Sequence, residues 1–409
     1  MSIRRSAPGP ITRRPARPGR AARRAAAVLA TVAVTAVVAP VAPAVAGSRP
    51  SIPDHGAAVS WGFNELGQLG DGTLTSRAVP GPVLGLTDGV VQVETEGYHS
   101  VALDSAGAVW TWGSNDGGQL GDGTLDGRTT PFKVVGLDNV VQVAAGYWHT
   151  LALRADGTVW QWGSHAEWVA GGGFGDIIPT PEQVPGLKNV RQIAAGGNHD
   201  LALRNDGTVW TWGSNGAGEL GDGTFTRSRV PVQVPGLTDV TRVDGGAQHS
   251  MTLRADGTVW TWGSNSCGRL GNGSTRFFSE TPVLVSALDN VVAISAGGRH
   301  DLAVVGREGT RGQVLAWGCN ERGQLGTGTT TSSARPVTVY GLPADVVEVS
   351  TGLNHSFALR ADGTLLSWGA NSKGQLGVGF ISPYASTPYT VGSGFRHVAG
   401  GQESTLATR

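Results

Sequence analysis

Residues 196–224 read GGNHDLALRNDGTVWTWGSNGAGELGDGT, and most of the chain consists of degraded copies of this stretch. Apolar and polar side chains alternate from His199 to Arg204 and again from Val209, on either side of an Asp-Gly turn. This pattern predicts a β-hairpin. The Trp-Gly pair that ends the hairpin recurs at intervals of 50 to 55 residues. Its seven tryptophans are Trp61, Trp112, Trp162, Trp212, Trp262, Trp317 and Trp368.

Each copy contains the sequence of four short strands. In the copy that begins at Val140, the first three are residues 140–144, 149–154 and 159–163, and a proline-containing strand such as residues 231–234 is the fourth. Seven four-stranded antiparallel units at this period predict an all-β fold, the seven-bladed β-propeller.

The two ends of the repeat array are complementary. The array begins with a lone third strand, residues 57–62, and ends after a second strand that starts at Ser404. We therefore expect the N-terminal strand to pair with the C-terminal strand. This pairing closes the ring and removes the exposed sheet edges of an open array.

Residues 1–46 have the features of a secretory signal peptide. They contain eight arginines and no acidic residue, then an apolar run of 15 residues and an Ala-Val-Ala site that ends at Ala46. We expect cleavage before Gly47, which leaves a short linker, 47–56, and the propeller, 57–409. An uncleaved anchor is the alternative, although spanning a membrane takes about 20 apolar residues. The expected location is secreted or cell envelope, by either the Sec or the twin-arginine route.

The charge balance changes once the predicted signal peptide is removed. The whole chain has 31 basic and 31 acidic side chains, and the eight N-terminal arginines leave 23 basic against 31 acidic, a net charge of −8. An acidic body argues against binding to the phosphate backbone of nucleic acids.

The chain has two cysteines, Cys267 and Cys319, which occupy different positions within the repeat. Export permits a disulfide between neighbouring units, but the unequal positions do not support the geometry that a disulfide needs. The pairing is left open by the sequence.

Three linked motifs, HxLAL, xDGTVWxWG and GQLGDGT, recur together, as around His149 to Trp162 and in residues 113–124 and 199–224. Their combination resembles the regulator of chromosome condensation repeat family over residues 57–409. The founding eukaryotic members of that family are nucleotide-exchange factors for a small nuclear GTPase and bind chromatin, and others are ubiquitin-ligase or signalling proteins. A secreted bacterial propeller of similar architecture inhibits β-lactamases with its loops. The export signal suits that secreted, bacterial-type role better.

Six histidines open the second strand of successive copies, and the seventh copy has Glu403 at this position. Because each lies on a different blade, we expect each ring to bond to nearby backbone groups rather than to a shared metal ion. The six are His99, His149, His199, His249, His300 and His355.

The glycine-rich segments such as residues 118–124 lack the Gly-Lys-Ser/Thr of a phosphate-binding loop. Asp71, Asp122 and Asp222 lack the alternating acidic spacing of calcium loops, so we interpret them as turn residues. The sequence has no Gly-x-Ser-x-Gly elbow and no His-Glu-x-x-His motif. We therefore expect no catalysis, no cofactor and no metal ion.

Aromatic residues outside the repeated positions identify the candidate binding site. Eleven of the 13 tryptophans belong to two strand positions spaced two apart, which we expect to pack between blades. The others, Trp148 and Trp168, fall in a turn and a loop that open on the same face of a propeller. With Tyr98, Tyr147 and Phe174 they are the predicted partner-binding residues, although packing of Trp148 on Trp168 is an equal alternative.

The function expected from these features is an exported, monomeric, protein-binding propeller that acts as an inhibitor or adaptor. The alternatives are a carbohydrate-binding or hydrolytic propeller at the cell surface and, from the family resemblance, an activity like that of a guanine-nucleotide exchange factor.

Overall fold

The computed structural model describes residues 55–165, 177–306 and 312–409. These residues form seven antiparallel sheets of four strands each, the blades of a β-propeller, as the repeat predicts. One turn of 3-10 helix, Ser266–Gly268, is the one helix in these ranges. No helix in the described part of the chain has the length and apolar character needed to cross a membrane.

Six blades are continuous in sequence, and their strands are numbered in chain order. Blade 1 consists of β3 (Val90–Glu94), β4 (His99–Asp104), β5 (Val109–Gly113) and β6 (Arg128–Lys133). Blade 2 consists of β7 (Val140–Ala145), β8 (His149–Arg154), β9 (Val159–Gly163) and β10 (Ile178–Gln183). Blade 3 consists of β11 (Val190–Ala195), β12 (His199–Arg204), β13 (Val209–Gly213) and β14 (Ser228–Gln233).

Blade 4 consists of β15 (Val240–Gly245), β16 (His249–Arg254), β17 (Val259–Ser264) and β18 (Phe278–Leu284). Blade 5 consists of β19 (Val291–Ala296), β20 (His300–Val305), β21 (Gln313–Gly318) and β22 (Ser333–Thr338). Blade 6 consists of β23 (Val346–Thr351), β24 (His355–Arg360), β25 (Leu365–Ala370) and β26 (Tyr384–Gly392).

Blade 7 is built from both ends of the array and confirms the predicted ring closure. It combines β27 (His397–Gly400) and β28 (Ser404–Thr408) with β1 (Ala58–Gly62) and β2 (Arg77–Pro82). The strands β1 and β28 pair without a break in register. Both edges that an open array would expose are therefore used.

The seven Trp-Gly tryptophans are the largest buried side chains and lie between blades, each with at most 1% of its surface exposed. In six of them the indole N–H donates to a backbone carbonyl in the loop of the preceding blade, at 2.7–2.9 Å. In blade 3, the indole N–H of Trp212 donates to the Gln161 side chain of blade 2 at 3.1 Å. The second tryptophan position, such as Trp160 and Trp210, is only half-buried, so the predicted packing of this column between blades is partial.

The backbone conformation and the close packing after each of these tryptophans require a glycine. Gly213 has a φ of 105°, and a Cβ atom at this position would lie 2.6 Å from the carbonyl oxygen of Asn198. Only glycine adopts this conformation without strain and fits under the neighbouring turn.

Asparagine and aspartate side chains shape the loop after the third strand. In blade 1, Asn115 Nδ2 donates to the carbonyl oxygens of Thr124 and Asp126, while its Oδ1 accepts from the Leu120 N–H. Asp122 accepts from the backbone N–H and the hydroxyl of Thr124, which agrees with a turn role. The loops are therefore held by their own polar side chains.

Cys267 and Cys319 form a disulfide with a Cα–Cα distance of 4.9 Å, so the sequence-based objection to this pairing is wrong. The loop after Trp262 leans against the next blade, where Trp317 donates to the Arg269 carbonyl at 2.8 Å. This contact brings the loop of blade 4 close to the end of the third strand of blade 5. Cys267 and Cys319 therefore meet, although they occupy different positions within the repeat.

The histidine column bonds to side chains of the next blade, and the expected backbone partners are wrong. Each Nε2 atom lies 2.6–3.4 Å from a hydroxyl or carboxylate oxygen. The partners, in order from His99, are Thr150, Asp200, Ser250, Asp301, Ser356 and Thr405. The seventh position is also corrected: Ser404 pairs with Gly62 as His355 pairs with Gly369, so the equivalent residue is Ser404 and not Glu403.

Burial of His355 in this column predicts loss of stability in acid. Burial lowers the pKa of His355 to about 3, whereas an imidazole in the unfolded chain has a pKa of ~6.5. Between these two pKa values the unfolded state binds a proton at His355 and the folded state does not. The free energy of unfolding therefore falls as the pH falls from about 6.5 towards 3. His355→Gln should reduce this slope by about 1.4 kcal/mol per pH unit between pH ~6 and ~4, measured by urea unfolding. An unchanged slope would show that His355 is protonated in the folded protein.

Candidate functional site: the long-loop face

In an antiparallel meander the first and third connections of a blade open at the same end. The backbone confirms this adjacency, because Ser114 N–H donates to the Tyr98 carbonyl at 2.9 Å and Ser164 N–H to the Trp148 carbonyl at 2.8 Å. We call this end the long-loop face and the opposite end, which carries the Asp-Gly turns, the hairpin face.

Three aromatic rings from three adjacent blades lie in a row on the long-loop face. The centroids of Phe63 and Tyr98 are 6.1 Å apart, and those of Tyr98 and Trp148 are 6.3 Å apart. All three side chains are half-buried. We call Phe63, Tyr98 and Trp148 the aromatic row.

Sequence reasoning missed Phe63, although a signal was present. The residue after each Trp-Gly pair is small in the other six copies, and in blade 7 it is phenylalanine. The small residues are Ser114, Ser164, Ser214, Ser264, Cys319 and Ala370.

Tyr147 has a different position from the aromatic row. Its backbone N–H donates to the Gly197 carbonyl at 2.9 Å, and its ring covers Gly197, where a Cβ atom would lie 2.9 Å from the ring. Burial raises the pKa of its hydroxyl, and the nearby Glu96 charge adds to this. Tyr147 therefore packs on the next blade. The other two predicted residues, Trp168 and Phe174, lie outside the described residues.

The third connections add exposed apolar side chains to the same face. Leu74, Leu125, Phe225 and Ile381 occupy equivalent loop tips and are 49–65% exposed. These tips vary between copies, so no repeated pattern singled them out in the sequence.

A cluster of titratable side chains lies directly behind Trp148. His149 Nε2 is 2.8 Å from Asp200 Oδ1, and His165 Nε2 is 2.5 Å from Asp200 Oδ2. The two imidazole rings lie close together, with centroids 4.2 Å apart and planes inclined by 31°. Burial alone would raise the pKa of Asp200, but both histidines hold it well below the usual value. Asp200 is therefore an ionised, buried carboxylate.

The innermost strands of the blades surround a central cavity of about 300 Å³ with an acidic lining. Burial raises the pKa of Asp244 to about 7, and also raises that of Glu94. Burial alone would lower the pKa of His397, but Glu348, at 2.8 Å, raises it to about 9. The histidine and Glu348 thus form an ion pair that balances part of the acidic lining.

The fold and its repeated contacts define a seven-bladed propeller whose blades are joined by Trp-to-loop hydrogen bonds. A family profile described as RCC1-like domain matches residues 31–350, and profiles described as Regulator of chromosome condensation (RCC1) repeat match residues 346–375 and 362–408. The chain belongs to the RCC1-like domain family.

Curated relatives resemble parts of the chain. The human probable E3 ubiquitin-protein ligase HERC6 is 38% identical over 118 residues, 28% of this chain and 11% of that protein. The Arabidopsis thaliana ultraviolet-B receptor UVR8 is 36% identical over 102 residues, 24% of this chain and 22% of that protein. The mouse regulator of chromosome condensation is 35% identical over 103 residues, 25% of this chain and 24% of that protein. The chain thus matches less than a quarter of the length of each relative.

Solved structures agree with the fold over most of the chain. Prp20p from Saccharomyces cerevisiae has a TM-score of 0.75 at 24% identity, covering 86% of this chain and 90% of that one. Human WBSCR16 has a TM-score of 0.75 at 23% identity, covering 86% of this chain and 100% of that one. At these identities the similarity concerns the fold alone.

Proposed function

We propose that this chain is an exported, monomeric protein-binding propeller that holds its partner on the long-loop face. The aromatic row is the observation that carries this proposal. Aromatic side chains are enriched among the residues that dominate protein interfaces. Phe63, Tyr98 and Trp148 come from three blades, so they form one continuous contact area on a rigid support.

The surroundings of the row suit a protein interface. Lys373 Nζ lies 5.0 Å from the centre of the Phe63 ring and 3.9 Å from Glu65. An apolar centre with charged residues at its border is the arrangement that protein-binding patches commonly have. The third connections also carry the exposed apolar side chains Leu74 and Leu125.

Two further features support export and protein binding. The disulfide between Cys267 and Cys319 is typical of proteins that fold in an oxidising compartment, as the predicted signal peptide implies. Prp20p, which has the same fold, binds Gsp1p and histones. This is a precedent for protein recognition by a propeller of this kind. The more specific role that we propose for this protein is that of an inhibitor or adaptor of its partner.

Trp148→Ala should strongly weaken partner binding with little effect on folding. The partner is first captured from spent medium and cell envelope with the mature protein, and its affinity is then measured by biolayer interferometry. Loss of a central aromatic anchor costs at least ~2 kcal/mol, so we expect a Kd at least ~30-fold weaker.

Trp160→Ala is the matched control, because this half-buried tryptophan of the same blade points its indole N–H at Thr158, near the hairpin face. It should bind the partner normally. Equal affinity of the two variants would refute the proposed site. Retention of a glycan instead of a stoichiometric protein would favour the carbohydrate-binding alternative.

A further inference from the structure

Blade 2 departs from the repeat where its third strand ends. In the other six blades an asparagine at this position binds the loop that follows, as Asn115 does in blade 1. These asparagines are Asn64, Asn115, Asn215, Asn265, Asn320 and Asn371. Blade 2 has His165 here, and the GQLGDGT form of its loop is absent from the sequence. The His165 imidazole bonds to Asp200 of the next blade.

The residue that faces His165 departs from the repeat as well. In five blades the second residue of the second strand is a serine or threonine. Its hydroxyl donates to a backbone carbonyl in the loop that follows the third strand of the preceding blade. These residues are Ser100, Thr150, Ser250, Ser356 and Thr405. Blade 3 has Asp200 instead, and both of its carboxylate oxygens face imidazoles of blade 2.

We propose that His149, His165 and Asp200 form a binding site for a divalent transition-metal ion, with Zn²⁺ as the best-matched ion. The three side chains place one ligand atom each within 4.8 Å of one another. In the described ranges, this is the one group of three His, Cys, Asp or Glu side chains with such a separation. Two imidazole nitrogens and a carboxylate oxygen are a common ligand set for zinc.

The burial of the ligands fits an ion held at the edge of the protein. The side chains of His149 and Asp200 are fully buried, whereas that of His165 is 19% exposed. Solvent therefore reaches the site from one side, where a water molecule can complete a tetrahedral shell.

A second buried aspartate provides the internal comparison. Asp301 occupies the position of Asp200 two blades further on and bonds to His249 at 2.7 Å. Blade 4 has Asn265 where blade 2 has His165, and the positive charge near Asp301 comes from Arg269. The Asp301 site thus has only one imidazole, and an arginine cannot coordinate a cation.

Zinc binding to the mature protein, stripped of metal with a chelator, tests the proposal by isothermal titration calorimetry. The native protein should bind one equivalent of Zn²⁺, and its melting temperature should rise with Zn²⁺ concentration. His165→Asn restores the residue of the other six blades and should bind at least ~100-fold more weakly, because a direct ligand is lost. Asp301→Ser, the matched control, should bind like the native protein.

Visible absorption of the Co²⁺-loaded protein gives an independent readout of ligands at the ion. The native protein and Asp301→Ser should show the same ligand-field bands, and His165→Asn should not. Absence of saturable Zn²⁺ binding would show that the three side chains only bond to one another, and equal affinity in His165→Asn would assign the ion to another place. Either result overturns the proposal.

Discussion

Trp61→Ala should lower the free energy of unfolding by about 3–5 kcal/mol, the range for truncation of a core tryptophan. Trp61 is fully buried, and its ring meets Phe357 and Phe395 edge-on at centroid distances of 6.2 and 6.0 Å. Its indole N–H donates to the Gln375 carbonyl at 2.9 Å. A side chain from the N-terminal strand thus joins blade 7 to blade 6.

Urea unfolding measures this loss, and Trp260→Ala is the control. Trp260 is half-buried and donates its indole N–H to Thr258 within its own hairpin, so its loss should cost clearly less. Hydrogen exchange in Ser404–Thr408 should also accelerate more in Trp61→Ala than in the control. Equal losses in the two variants would mean that closure of the ring does not depend on Trp61.

Replacing Cys267 and Cys319 together by serine should destabilise the protein by about 4 kcal/mol. The disulfide closes a segment with a sequence separation of 52 residues, and restriction of an unfolded loop of this length accounts for about 4 kcal/mol. It also joins the loop of blade 4 to the start of the corresponding loop in blade 5. The effect should therefore appear as lower stability without a change of fold.

Reductant provides the check on this prediction. Urea unfolding of the native protein should shift to lower urea when the disulfide is reduced, whereas the serine variant should be insensitive to reductant. A native protein that unfolds at the same urea concentration with and without reductant would contradict a stabilising disulfide.

Local sequence periodicity was enough to predict the ring, its closure and the buried tryptophans. Alternation around an Asp-Gly turn fixes each hairpin, and copies of the hairpin fix the number of blades. Contacts between unlike positions could not be predicted in this way. The disulfide and the hydrogen bond from Trp317 to the Arg269 carbonyl both depend on how the loop of blade 4 packs against blade 5.

The candidate site was predictable to the extent that it breaks the repeat. Tyr98 and Trp148 stood out because other copies lack aromatic residues there, and Phe63 carried the same kind of signal. His165 did not stand out as a partner of His149 and Asp200, since 35 residues separate it from the carboxylate. Only the packing of blade 2 against blade 3 brings these side chains together.

The most direct test of protein recognition by the long-loop face is hydrogen–deuterium exchange of the mature protein with and without its captured partner. We predict slower exchange in residues 95–98 and 146–148, the turns that carry Tyr98 and Trp148. The hairpin-face turns at residues 104–108 and 154–158 should be unchanged, because they open at the opposite end of the blades. Slower exchange confined to those hairpin-face turns would contradict recognition by the long-loop face.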